Sequence, residues 1–261
     1  MSFQLFHVDA FTSAPFAGNP AAVCICEEQR EDSWMQHLAT EMNLSETAFL
    51  LRRGDGWHLR WFTPEIEVEL CGHATLASAH VLYTHLQAPQ ETPLTFHTAS
   101  GELRASRRGE LIVLDFPAIP VVPSGRSREL AEALGVEPLS LSENARCFLA
   151  ELDSEASVRA LAPDMEALRR LGRRVIATAA GSGDFDFVSR FFAPSEGVPE
   201  DPVTGAAHCS LGPYWCARTG RTDFRAFQAS RRGGTVEVGV RGDRVMLAGC
   251  AVTVFAATLY V

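Results

Sequence analysis

Glu200-Asp-Pro-Val-Thr-Gly-Ala-Ala-His-Cys-Ser-Leu-Gly-Pro-Tyr-Trp215 is echoed in the other half of the chain by Glu69-Leu-Cys-Gly-His-Ala-Thr-Leu-Ala-Ser-Ala-His80. Each stretch runs from an acidic residue through a glycine into a helix of small side chains. A helix start leaves backbone N–H groups unpaired and carries a partial positive charge, so a carboxylate can dock there. Two such starts, if the halves face each other, would line one cleft, and a titratable residue beside them could move a proton on a bound acid.

Outward from these two motifs, the pattern is that of an α+β protein. In the first half short β-rich segments dominate: Gln4 to Asp9, Ala21 to Cys26, Thr47 to Leu51, Trp57 to Phe62, Leu94 to His97, Glu102 to Ser106 and Leu111 to Phe116, separated by Gly, Pro and Asp turns. Asp32 to Met42 places Trp34, Met35, Leu38 and Met42 at helical spacing and should pack outside a sheet. The helix predicted over 73–86 is apolar on nearly every side, which suits a central helix wrapped by strands.

A Pro-rich junction, Phe116 to Pro123, marks a boundary. Two halves are expected, 1–117 and 118–261, with the last strand near 251–261 free to return to the first. The second half opens with helices Arg128 to Leu134, Ser154 to Leu161 and Asp164 to Leu171. Strands at Arg174 to Thr178 and Phe185 to Phe192 follow, then a second central helix over 205–217 and a terminal meander. The similar layouts suggest a duplication.

Composition narrows the function classes. The net charge of −9 disfavours nucleic acid as a partner, and all 23 basic residues are Arg, which removes lysine Schiff-base and P-loop chemistry. No apolar run approaches the roughly 20 residues that span a bilayer, so no membrane partner is expected. Seven cysteines without disulfide-like spacing, and a start that reads as a strand and not a secretory signal, predict a cytoplasmic protein.

Several residues can carry chemistry. Glu46, in a polar turn entering an apolar strand, can take and return a proton once partly withdrawn from water; a solvated turn glutamate suits the same position. His73 begins the first central helix, where the dipole disfavours imidazolium, so a neutral donor or relay is expected, beside the plainer reading of a core or capping histidine. Asp201 can orient a neighbouring group or, with Thr204, simply cap the second helix. Cys71, at a helix start, invites a lowered thiol pKa and a thiolate base, but the equivalent second-half position is Thr204, so a two-thiol racemase is disfavoured. Cys71, His73, His208 and Cys209 lack standard zinc spacing, and no metal is expected. Gly181-Ser-Gly183 lacks the rest of a dinucleotide motif, and no cofactor is implied.

Six segments, in order and over nearly the whole length, resemble the PhzF family of phenazine-biosynthesis-like isomerases, within the diaminopimelate-epimerase-like fold. They are Val8 to Val23, Asn43 to Phe49, Arg60 to Pro64, Leu70 to Thr75, Ser189 to Pro194 and Glu200 to Gly205. The resemblance implies two pseudo-symmetric halves, each a barrel-like sheet around a central helix, a homodimer, and a cofactor-independent isomerase acting on a small carboxylic acid. It implies Glu46, His73 and Asp201 as catalytic residues and Asn19, Ser45, Gly72, Gly205 and Ala206 as substrate-binding ones. Ala206 stands where many relatives, the phenazine enzymes included, carry Ser, so a hydroxyl contact is missing while the backbone N–H remains. Two other functions stay open: a dehydratase or epimerase built on Cys71 and Thr204, and a non-catalytic small-acid-binding protein.

Overall fold

The computed structural model describes residues 2–125 and 127–260. It is α+β and divides into two compact units, one of 1–116 with 246–261 and one of 117–245. In chain order the first unit holds β1 (Ser2–Ala10), β2 (Asn19–Cys26), α1 (Asp32–Met42), β3 (Glu46–Arg53), β4 (Gly56–Phe62), β5 (Glu67–Val68), α2 (Gly72–Thr84), β6 (Leu94–Thr98), β7 (Gly101–Arg108) and β8 (Leu111–Pro117). The second holds β9 (Val122–Pro123), α3 (Arg128–Leu134), β10 (Ser140–Glu143), β11 (Cys147–Glu151), α4 (Glu155–Ala160), α5 (Met165–Arg170), β12 (Arg174–Ala180), β13 (Phe187–Phe192), α6 (Gly205–Thr219), β14 (Asp223–Gln228) and β15 (Gly234–Arg241). β16 (Arg244–Gly249) then leads into β17 (Ala251–Tyr260), which pairs antiparallel with β1 from Ser2↔Tyr260 to Ala10↔Ala251.

The two units share one pairing rule. β1 runs antiparallel to β2, β2 parallel to β3, β3 antiparallel to β4, β4 parallel to β6, and β6 antiparallel to β7. The second unit repeats this sequence with β10, β11, β12, β13, β14 and β15. In each, the crossover between the fourth strand of the series and its parallel neighbour carries the small-residue helix, α2 or α6. Identical pairing order with little shared sequence is what a duplicated architecture predicts.

Strand parity sets what each face carries. On β2, Ala22, Cys24 and Cys26 join Phe49 of β3 in a core with Met35, Leu38 and Ala39 of α1. Asn19, Ala21 and Val23 of β2, and Glu46, Ala48 and Leu50 of β3, therefore point to the opposite face, where α2 lies. Helix α2 is buried on all sides, from His73 through Tyr83 with only His80 partly open, because it packs against β1, β2, β3 and β17. It ends two residues earlier than the sequence predicts, at Thr84, just before Gln87 takes a left-handed backbone with φ of 53°.

Helix α6 runs two residues past its expected end, to a left-handed Gly220, and contains Pro213. Proline cannot donate to the carbonyl four residues back, and that carbonyl, Cys209 O, instead accepts from Ile119 N at 2.9 Å, while Ser210 Oγ donates to Ile119 O. The Pro-rich junction is thus fastened to the helix at the place where the proline frees a backbone acceptor. No helix among the described residues is long and apolar enough to cross a membrane.

Candidate active site

The candidate site in the first unit is built where β2, β3 and the start of α2 meet. Gly18, with φ of 66°, sits where a Cβ would fall 2.1 Å from Ala10 O, so only glycine lets the chain turn into β2 with Asn19 at its first position. Asn19 is fully buried, and its amide Nδ2 lies 3.1 Å from His73 Nδ1. Glu46, the first residue of β3 and the partner of Ala21 across the parallel ladder, reaches the same ring from its other side: Oε2 is 3.0 Å from His73 Nε2. Their side chains keep only 18% and 5% of their surface open, respectively.

This pair corrects the expectation of a neutral His73. Burial opposes the imidazolium, yet the Cys71 sulfur and the Glu46 carboxylate beside the ring outweigh it and hold His73 well above the ordinary histidine range. Cys71 is itself pushed up to about 11, first by burial and then by the Glu46 charge. It stays a thiol at neutral pH, so Glu46 is the charge that supports the imidazolium. The helix dipole costs roughly 0.3–1 kcal/mol, whereas an opposite charge this close shifts a pKa by about 1–3 units, and the larger effect wins. The same burial overturns the expectation of a thiolate at Cys71; its sulfur lies 3.5 Å from His73 Nδ1.

Glu46 Oε2 is buried, and among the described residues no donor other than the His73 ring approaches it. The charged His73 presents Nε2–H to this oxygen as an ion pair, and the remaining carboxylate lone pairs are open to a proton. Ser45 precedes it, half-buried, in the turn that follows α1.

Helix α2 starts at Gly72 after Cys71 with no side-chain cap and no acidic residue in its first turn. Helix α6 starts at Gly205 after Thr204 in the same way. By contrast α3, α4 and α5 are capped by Ser127, Ser154 and Asp164. Thr204 does not cap the helix with its side chain; its hydroxyl donates to the Asp201 carboxylate instead. Gly205 is buried and Ala206 exposed, with Asp201 half-buried before them.

Gln228, absent from the sequence-based site, holds this second turn. Fully buried at the end of β14, it accepts from Thr204 N at 2.8 Å and donates to Asp201 O at 2.7 Å. Its signal was parity: Phe224, Ala226 and Gln228 form the buried face of one strand, and a polar residue in that register needs partners. His208, one turn into α6, is also buried; Nδ1 sits 2.8 Å from Thr204 O, and burial pushes its pKa down to about 4.

Residues 8–257 match the family of phenazine biosynthesis-like proteins, PhzC-PhzF. The chain belongs to this family. An uncharacterized isomerase of Halalkalibacterium halodurans is 49% identical, with 99% of each chain covered. The crystal structure of a PhzF family protein from Enterococcus faecalis superposes with a TM-score of 0.97 at 40% identity over 100% of both chains. A probable proline racemase from Agrobacterium radiobacter, at 15% identity over 99% of this chain and 93% of its own, has a TM-score of 0.66 and shares the fold alone. Within the PhzC-PhzF family, relatives across the whole length of this chain carry the name isomerase.

Proposed function

We propose that the protein is a cofactor-independent isomerase that moves a proton between carbons of a small carboxylic acid. Glu46 is the acid and base, and the observation that carries this reading is its buried Oε2, which among the described residues faces no donor but the charged His73 ring. A carboxylate held in that way is poised to accept a proton from carbon and to return it. The charged His73 ring faces Glu46, and Asn19 holds the ring with its amide turned so that the oxygen accepts from Nδ1–H. The uncapped start of α2, through the backbone N–H of Gly72, is assigned to the substrate carboxylate together with Ser45, and Gly205 and Ala206 at the uncapped start of α6 are assigned as further anion-binding N–H groups. Asp201 is assigned to support the substrate from the turn that Gln228 holds.

The raised pKa of Cys71 weighs against the alternative of a thiolate-driven dehydratase or epimerase. Incubation with aromatic, cyclic and amino-acid carboxylates in deuterated water, read by NMR, tests the proposal: one of these classes should gain deuterium at carbon. Binding without any exchange would instead describe a small-acid-binding protein.

The homodimer implied by the family resemblance is assigned to β17. Residues 246–261 contain no charged side chain, and Phe255 and Tyr260 are 44% and 81% exposed. Phe255 through Thr258 are exposed on both faces of the strand, with none of the lysines or prolines that usually guard such a surface. An uncharged strand is complementary to a second copy of itself, which a two-fold interface supplies.

A further inference from the structure

Glu46, Cys71 and His73 come from separate parts of the fold, β3 and the start of α2, yet their carboxylate, thiol and imidazole atoms all lie within 4.8 Å of one another. His73 Nε2 is 3.0 Å from Glu46 Oε2 and 4.0 Å from Cys71 Sγ. Around a tetrahedral zinc ion with bonds of about 2.0–2.3 Å, neighbouring donor atoms are separated by roughly 3.3–3.8 Å. The observed spacings bracket that range, so small side-chain adjustments suffice. Sequence spacing alone gave no such site because the third donor comes from a strand more than twenty residues away.

We propose that these three residues bind a borderline-soft divalent cation of the zinc class and that an ion there silences the enzyme by tying up the Glu46 carboxylate. One sulfur, one nitrogen and one oxygen donor suit zinc or cobalt and not magnesium or calcium. On binding, the Cys71 S–H bond breaks, a sulfur–metal bond forms and the proton leaves to solvent, as a coordinated thiol requires. The His73 imidazolium likewise gives its Nε2 proton to solvent, and the neutral ring binds through Nε2. Its Nδ1–H then donates to the Asn19 side-chain oxygen, which a half-turn of the amide brings to the place of the nitrogen. Three protein donors leave a fourth position for water. The silencing rests on Glu46 being the proton carrier; the binding does not.

Anaerobic titration of the full chain with Co2+, read by absorbance, separates the two. Saturation at one equivalent with a thiolate-to-cobalt charge-transfer band, bleached by Zn2+, is the expected result. Cys71→Ser should abolish that band and Cys26→Ser should leave it unchanged. Asn19→Ala should weaken binding by roughly 10–100-fold, as lost support of a ligating histidine does. No charge-transfer band, or one that survives in Cys71→Ser, overturns the proposal. Should Cys71→Ser fail to fold, Glu46→Gln removes the carboxylate donor at constant shape, and an unchanged Co2+ affinity in it is equally fatal. None of these readings needs turnover, so they stand apart from the isotope-exchange test of the enzyme's chemistry.

Discussion

At the scale of single residues, proximity of Glu46 to His73 decides the electrostatics. The sequence shows a histidine at a helix start and argues correctly that the dipole resists its charge. What it cannot show is a carboxylate 3.0 Å away, supplied by a strand. The same holds for Cys71, whose position suggests an acidic thiol while its burial makes it a weak one. This has a measurable consequence. The folded-state thiol ionises at about 11 instead of the ordinary 9.0. Its contribution to stability is complete below pH 9 and is lost as pH rises toward 11, up to about 3 kcal/mol at 1.4 kcal/mol per unit. Cys71→Ala should flatten the alkaline limb of a urea-denaturation series across that window. A limb of unchanged slope would contradict the assignment.

At the scale of elements, legibility follows period and length. α1, the long strands and both small-residue helices were readable because apolar spacing or turn residues bound them. β10 and β11 were not: Ser140–Glu143 and Cys147–Glu151 are short, and they make sense only as the antiparallel–parallel steps that copy β1, β2 and β3. Asn19 came from the family resemblance, whereas Gln228 could have been found by parity, as a polar residue on the buried face of its strand.

Two outcomes belong to this scale. Gly18→Ala forces a Cβ into Ala10 O at a left-handed φ and should cost at least about 2 kcal/mol by urea midpoint, displacing Asn19 as well. His208 is held near a pKa of 4 inside α6, so its neutral form stabilises the fold above the unfolded value near 6.5. That stability is lost as pH falls toward 4, up to about 3 kcal/mol. His208→Phe, which fills the space without a proton site, should flatten the acid limb; equal acid sensitivity in both proteins would show that His208 is not responsible.

At the scale of the whole molecule, the chain belongs to the PhzC-PhzF family along its length, and its two units repeat one pairing order around one kind of helix. The family resemblance was carried by motifs that contain Glu46, His73 and Asp201, which is why the proposed catalytic set could be named before the fold. Light scattering tests the assembly: the wild-type chain should run at twice its mass, and Phe255→Asp on β17 should yield the single chain. A wild-type monomer, or a dimer untouched by the substitution, would remove β17 as the interface.

The central chemistry is tested most directly by deuterium wash-in at substrate carbon, comparing wild type with Glu46→Gln on whichever carboxylate exchanges. Removal of a general acid–base group should lower the exchange rate by roughly 10²–10⁴-fold, with Cys71→Ala largely spared. An exchange rate unchanged in Glu46→Gln, or one abolished only in Cys71→Ala, would contradict the assignment of proton transfer to Glu46.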